Sequence, residues 1–263
     1  MSTLREIQKT HEQPVPEQRR SLAHWSQDQQ EPSIWREIGR FWEQVGAILW
    51  KDLRYELRSK QTWLGMGMFA LLVLVIFNFT YDLRSDIVLS VAPGALWVAF
   101  IFVSLLGLGR TVANEREVGS LDRLLLTPVD RKAIYLAKLL GNLLCIGVVE
   151  IVALPVFLLL FNLPLLPVGG LLLLVAIALL GALGIAAVGT LFSVMTAITR
   201  ARELLLPILV FPLVVPVVIS AVKATTLLFA PSATEPPWLS LLIVFDVIFI
   251  SVSTLLFQYV VEE

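Results

Sequence analysis

Polar and apolar positions fall into long blocks along the chain. Residues 1–33 are polar, rich in Gln and Glu and interrupted by Pro14, Pro16 and Pro32. They carry too little apolar surface to offset the entropy of ordering, which predicts a disordered N-terminal extension. From Ile34 the pattern changes. Ile34, Ile38, Phe41, Val45, Leu49 and Leu53 recur at helical spacing, Trp35, Trp42 and Trp50 flank that stripe, and charges take the other face. This predicts an amphipathic helix over 34–61 lying in a membrane interface, apolar side down. It serves either as a plain anchor or as a lever toward a cytosolic partner.

Beyond residue 61 the chain becomes a series of apolar runs. A bilayer-spanning helix needs about 20 apolar residues. Six candidates follow: Trp63–Thr80, Ile87–Gly109, Ala133–Phe161, Val168–Ala197, a run from Leu204 to Ala230, and Trp238–Gln258. The predicted fold is all-α and integral to a membrane. It has six transmembrane helices over 62–263, preceded by the interfacial helix.

Composition agrees with that class. The chain is 57% hydrophobic and 16% charged, with a mean hydropathy of +0.82, well away from soluble averages of about 45–50% and about 25%. A net charge of −1 gives no reason to expect a nucleic-acid partner. The placement of charge says more. Lys51, Arg54, Arg58 and Lys60 precede span one. Arg110, Arg116, Arg123, Arg131 and Lys132 lie between spans two and three, and Arg200 and Arg202 between spans four and five. The other three connections offer only Arg84, outweighed by Asp82 and Asp86. Basic connections face the cytoplasm, so both termini are expected there. The first apolar run begins behind a long polar leader, which is not the layout of a secretory signal.

The stretch RTVANEREVGSLDRLLLTPVDRK, residues 110–132, stands out between two uncharged runs. Val118, Leu121, Leu124 and Leu125 form an apolar helical stripe. Glu115, Arg116, Glu117, Asp122 and Arg123 supply polar contacts. Gly119 permits a break, Ser120 suits an N-cap, and Thr127-Pro128 ends the helix, because proline disfavours helical geometry at the residue before it. Asp130 is placed to cap span three. The pattern reads as the end of span two, a short amphipathic helix, a turn and a new span. It is either an ordinary interfacial loop or a docking helix.

Several chemistries lack their residues. The phosphate-gripping pattern G-x-x-x-x-G-K-[ST] does not occur. The two histidines, His11 and His24, lie in the polar leader, and Cys145 is the single cysteine. Metal-ligand spacing and a Ser–His–Asp set are both missing. Three ionisable residues interrupt apolar runs: Glu150, Lys223 and Asp246. Such groups face a bundle interior or a wet cavity, or reach the interface. Lys223 is expected to snorkel. Glu150 and Asp246 either make a structural hydrogen bond or line a substrate route or subunit seam; a proton relay is the weaker alternative, because two isolated carboxylates do not make a chain. Pro207, Pro212 and Pro216 predict a kinked or broken span five, with 217–230 open to a re-entrant course. Ala178, Ala182, Ala186, Thr190 and Ser193 give span four a small-residue face for close helix packing, more in keeping with packing inside the subunit than with a dimer seam.

The pattern E-R-E-x-G-x-L-x-x-L-L-x-x-P, followed by Lys138, resembles the loop after span two in ABC-2-type transporter permeases. Together with WKDLRYELRSKQTW (50–63), APGALWVAFIF (92–102), GRTVANEREVGSLDRLLLTPVDRKAIYLAK (109–138) and RARELLLPILVFPLVVPVV (200–218), it is similar to the haem exporter protein B (CcmB) family. The similarity runs from about residue 46 to the end, so the first 45 residues extend beyond the usual family start.

That resemblance carries implications. The fold would be ABC-2, or type V exporter-like, with a short cytoplasmic coupling helix. Glu115, Arg116, Glu117, Gly119, Leu121, Leu124, Leu125 and Pro128 would form the ATPase-coupling element, backed by Lys51, Asp52, Arg54 and Arg58 on the interfacial helix. ATP would be bound and hydrolysed on a separate CcmA-like subunit, with no cofactor held by this chain. CcmC-like and CcmD-like membrane proteins, a haem chaperone resembling CcmE and a second copy of the chain would be partners, in a bacterial inner membrane. Haem would be a handled or transported substrate. A tight haem site normally has an axial His, Met, Cys or Tyr. The membrane part has no His, which favours mechanical coupling over stable ligation. The alternatives are an ABC-2 exporter of a glycan, lipid or drug, and a non-transporting membrane scaffold.

Overall fold

The computed structural model describes residues 34–57, 60–80, 85–118, 129–197, 202–230 and 237–260. All regular structure among them is helical. Seven helices follow in order: α1 (Ile34–Glu56), α2 (Lys60–Thr80), α3 (Ser85–Val118), α4 (Arg131–Leu160), α5 (Val168–Ala197), α6 (Arg202–Phe229) and α7 (Trp238–Val260). The last six are long and apolar enough to cross a membrane, matching the six expected spans. The Gly119–Pro128 part of the expected coupling helix, Arg58, and residues 1–33 lie outside the described residues.

The chain divides into two units, Met1–Glu43 and Gln44–Glu263, with the boundary inside α1. In the first unit Phe41 and Trp42 pack edge to face, centroids 5.8 Å apart. In the second, the end of α1 is amphipathic in an unexpected way. Val45 and Ile48 are buried, and Leu49 lies where a side chain on Gly141 of α4 would touch it. This face therefore packs on protein, while Trp50 is exposed. Asp52 and Glu56 follow on that same face at helical spacing. Charges were expected only on the opposite face, so these two correct the expectation. The helix also stops earlier than residue 61. Trp63 Nε1–H donates to the Glu56 carbonyl at 3.0 Å, satisfying one of the orphan acceptors at the α1 terminus.

Span two lies where expected, over Val88–Arg110, but its helix does not stop there. α3 continues as one helix to Val118. Its 34 residues make a rod of about 51 Å at 1.5 Å per residue, against a hydrocarbon core of about 30 Å. Helix formation needs backbone pairing and good helix formers, and Ala113, Glu115, Arg116 and Glu117 supply them whatever the solvent. α4 begins as expected: the Asp130 carboxylate accepts from Lys132 N–H at 2.9 Å. It ends on a left-handed residue, Asn162 at φ 48°. Leu163 N–H reaches Leu158 O at 3.1 Å and Asn162 N–H reaches Leu159 O at 3.3 Å, the Schellman pattern. Asn78 Nδ2–H of α2 satisfies the Leu160 carbonyl.

α5 is the hub, packing against α3, α4, α6 and α7. Ala178, Ala182, Ala186, Thr190 and Ser193 are all buried, so the small-residue face serves packing within the subunit. Glycines deepen it. A Cβ on Gly181 would collide with the Trp97 ring, and one on Gly189 with Leu108. Trp97 also donates to Thr225 Oγ1 of α6 at 3.0 Å. Span five is not broken. α6 is one helix from Arg202 to Phe229 with Pro207, Pro212 and Pro216 inside it, so 217–230 does not re-enter. Each proline forfeits one backbone bond, but Val210, Val214 and Val217 are buried among neighbouring helices. That packing holds the helical course.

Candidate coupling site and intramembrane carboxylates

The charged stretch roots in a buried polar layer. Arg110, the first charged residue of α3 after its apolar run, donates to Thr62 Oγ1 of α2 at 3.5 Å. On α1, Glu56 is 8% exposed. Burial pushes its carboxyl above the ordinary 4.5, opposed by the nearby Arg110 guanidinium and assisted by Asp52. Asp52 and Glu56 line a cavity of about 30 Å³ with Lys138, Asn142 and Cys145 of α4, room for roughly one water molecule. Asn142 Nδ2–H continues the layer to Thr190 Oγ1 of α5 at 2.9 Å, and Ser193 Oγ–H returns to Thr190 O at 2.8 Å. Five helices are thus joined by polar groups at the level where α3 leaves the apolar zone.

Of the residues expected to couple, Glu115, Arg116 and Glu117 lie in the last turns of α3. Gly119, Leu121, Leu124, Leu125 and Pro128 lie outside the described residues. On α1, Lys51 pairs with Asp52 at 3.1 Å and Arg54 is exposed in the last turn. The sequence pointed to the stretch but not to its root. Arg110 was counted only for topology, while Glu56, Thr62 and Asn142 were missed. A signal existed: Asn142 is a polar amide inside an apolar run, and Asp52 and Glu56 share the stripe of Val45 and Leu49.

The intramembrane carboxylates are separate from this layer. Glu150 is 0% and Asp246 2% exposed, and none of their four carboxylate oxygens has a protein hydrogen-bond partner. Asp246 fills a notch on α5: a Cβ on Gly184 would lie 2.5 Å from Asp246 Oδ1 and 2.9 Å from Val217 Cγ1 of α6. Gly147 faces Leu179, which puts Glu150 level with about residue 176 of α5. The two carboxyls are then about 12 Å apart along the axis at 1.5 Å per residue, too far for direct proton exchange. Lys223 is exposed about 9 Å below the end of α6, within snorkelling reach of an interface.

Among the described residues, several side chains able to ligate haem are otherwise engaged or turned outward. Tyr135 donates to Ala187 O at 3.0 Å, Met66 packs against Gly107, and Met68 and Met195 face outward. No cluster of three His, Cys, Asp or Glu groups occurs among the described residues.

Six membrane-length helices, four of them packed on the small-residue hub α5, with a polar layer at one end, define a polytopic membrane protein of the permease class. The chain belongs to the CcmB protein family, whose sequence profile matches residues 43–262. It is similar to heme exporter protein B of Rhodobacter capsulatus, 33% identical over 174 residues, covering 66% of this chain and 78% of that protein. The Paracoccus denitrificans protein of the same name is 34% identical over 181 residues, 68% of this chain and 80% of the other. That of Bradyrhizobium diazoefficiens is 31% identical over 182 residues, 69% and 80%.

Proposed function

We propose that this chain is the membrane permease subunit of an ABC transporter acting in c-type cytochrome maturation. It couples ATP hydrolysis on a separate CcmA-like subunit to haem export or to release of a haem-loaded chaperone resembling CcmE. CcmC-like and CcmD-like proteins complete the assembly, and a second copy of the chain completes the permease. The chain sits in the bacterial inner membrane with both termini cytoplasmic. The observation that carries this reading is the family match over 43–262, joined to a polar layer at the base of the charged stretch. A push on 110–128 enters at Arg110 and spreads through Thr62 to α2, through the Glu56 neighbourhood to α1, and through Asn142 and Thr190 to α4 and α5. Haem is substrate here. The hydrogen bond that engages Tyr135 and the packing of Met66 against Gly107 favour a mechanical role over stable axial ligation.

Leu121→Asp with Leu125→Asp puts charge on the docking stripe. The expected outcome is loss of ATPase co-purification and of holocytochrome c by haem staining, with the permease still inserted. Undiminished co-purification refutes the docking role. Normal holocytochrome c in a deletion strain refutes the cytochrome assignment and leaves an exporter of another substrate. Normal maturation with an ATPase-dead partner leaves a scaffold.

A further inference from the structure

The outward faces of α2 and α4 enclose a groove of about 420 Å³. Its walls are apolar: Leu64, Leu71 and Leu74 on α2 against Val148, Val152 and Val156 on α4. Gly67 lies on the α2 wall, and a Cβ built there meets nothing within 4 Å, so its lack of a side chain leaves real space. From Trp63 to Leu74 the groove follows α2 for about 16 Å at 1.5 Å per residue. That is half of a hydrocarbon core of about 30 Å, the depth of one leaflet.

A cation continues the α2 wall just beyond the groove. Lys60, Leu64, Gly67, Leu71 and Leu74 follow one another at intervals of three and four, so Lys60 opens the stripe that lines the groove. Helical side chains lean toward the N-terminus, which carries the Lys60 ammonium outward past the mouth. Trp63, at the mouth, is bonded to the Glu56 carbonyl. That contact brings the last turn of α1, with exposed Arg54, to the same corner. An apolar slot one leaflet deep, with exposed Lys60 one turn beyond Leu64 and exposed Arg54 in the adjoining last turn of α1, is complementary to an acyl chain joined to an anionic headgroup.

We propose that the α2/α4 groove is a binding site for one anionic phospholipid of the leaflet on the α1 side. One acyl chain lies along Gly67, and the headgroup phosphate is held by Lys60 and Arg54.

The test uses the full chain, purified in mild detergent with whatever subunits accompany it. It is incubated with equimolar phosphatidylglycerol and phosphatidylcholine of matched chains and read by native mass spectrometry. Wild type is expected to keep one phosphatidylglycerol, at least tenfold over phosphatidylcholine. Gly67→Leu fills the slot from a position with open space and is expected to lose both lipids at least tenfold. The double substitution Lys60→Gln, Arg54→Gln is expected to keep a lipid but lose the preference to within about twofold. Should Gly67→Leu not fold, Val152→Phe obstructs the groove from the opposite wall, where Val152 is 64% exposed. Retention of phosphatidylglycerol by the blocked variant overturns the proposal, as does unchanged selectivity without the two cations. Disulfide capture of a second copy by Met68→Cys in a Cys145→Ser background, with no lipid retained by wild type, assigns the groove to protein and also overturns it.

Discussion

Gly181→Ala tests the packing of the hub directly. The substitution has a favourable part: alanine in a helix interior gains about 1 kcal/mol over glycine. Against this, the new methyl falls on the Trp97 ring. That ring is fully buried, packed edge-on against Phe100 at 5.5 Å and bonded to Thr225 at 3.0 Å. It has no slack. Overpacking costs about 1–3 kcal/mol, and a displaced indole forfeits a hydrogen bond of about 1 kcal/mol. The net loss is about 1–3 kcal/mol. For a chain of this size that lowers the unfolding midpoint by roughly 2–12 °C, read by fluorescence-detected size exclusion of heated samples. Adding Trp97→Phe shrinks the ring and relieves the clash. The double variant is then expected to be at least about 1 kcal/mol more stable than the sum of the single losses. A Gly181→Ala chain as stable as wild type, or strictly additive losses, refutes the notch.

Glu56 gives a pH test. Its carboxyl is raised above the ordinary 4.5 by burial, so the folded chain binds the proton more tightly than the unfolded chain. This contribution is fully present below 4.5 and is lost as pH rises through the raised folded value. Glu56→Gln fixes a neutral group there, so its midpoint relative to wild type rises as pH goes from 4 to 8; a pH-independent difference counts against the buried placement. Asn142→Leu leaves Thr190 without its donor, and a cost of about 1–3 kcal/mol is expected, measured by the same thermal assay; Thr190→Val alongside it should add little, and full additivity argues against the pair.

The spans were legible because each is a long apolar run, and a membrane demands such runs. Their ends were less so. Apolar composition reports where hydrocarbon stops, whereas α3 stops nine residues beyond Gly109, at Val118, because helical hydrogen bonds do not depend on lipid. Three prolines left a kink and a break both open for span five, and packing around Val210, Val214 and Val217 decides against the break. The charged stretch was visible as charge between apolar runs. Its footing was not, since Arg110, Thr62 and Asn142 meet through contacts between helices distant in sequence. The glycine notches were hidden for the same reason: Gly181 shows only that something comes close, never that it is Trp97.

Those notches also restrict how the bundle can move. α3 and α5 run parallel and are keyed together twice, Trp97 into Gly181 and Leu108 into Gly189. A ratchet of one helix past the other by one turn, about 5.4 Å, would drive both side chains out of their seats and into neighbouring Cβ atoms. Sliding is therefore blocked, whereas tilting of the pair as one piece leaves both seats filled. Under the proposed coupling, force arriving at the Val118 end of α3 would reach the far side of the membrane as rocking of a two-helix beam, the rigid-body class of transition rather than the shear class.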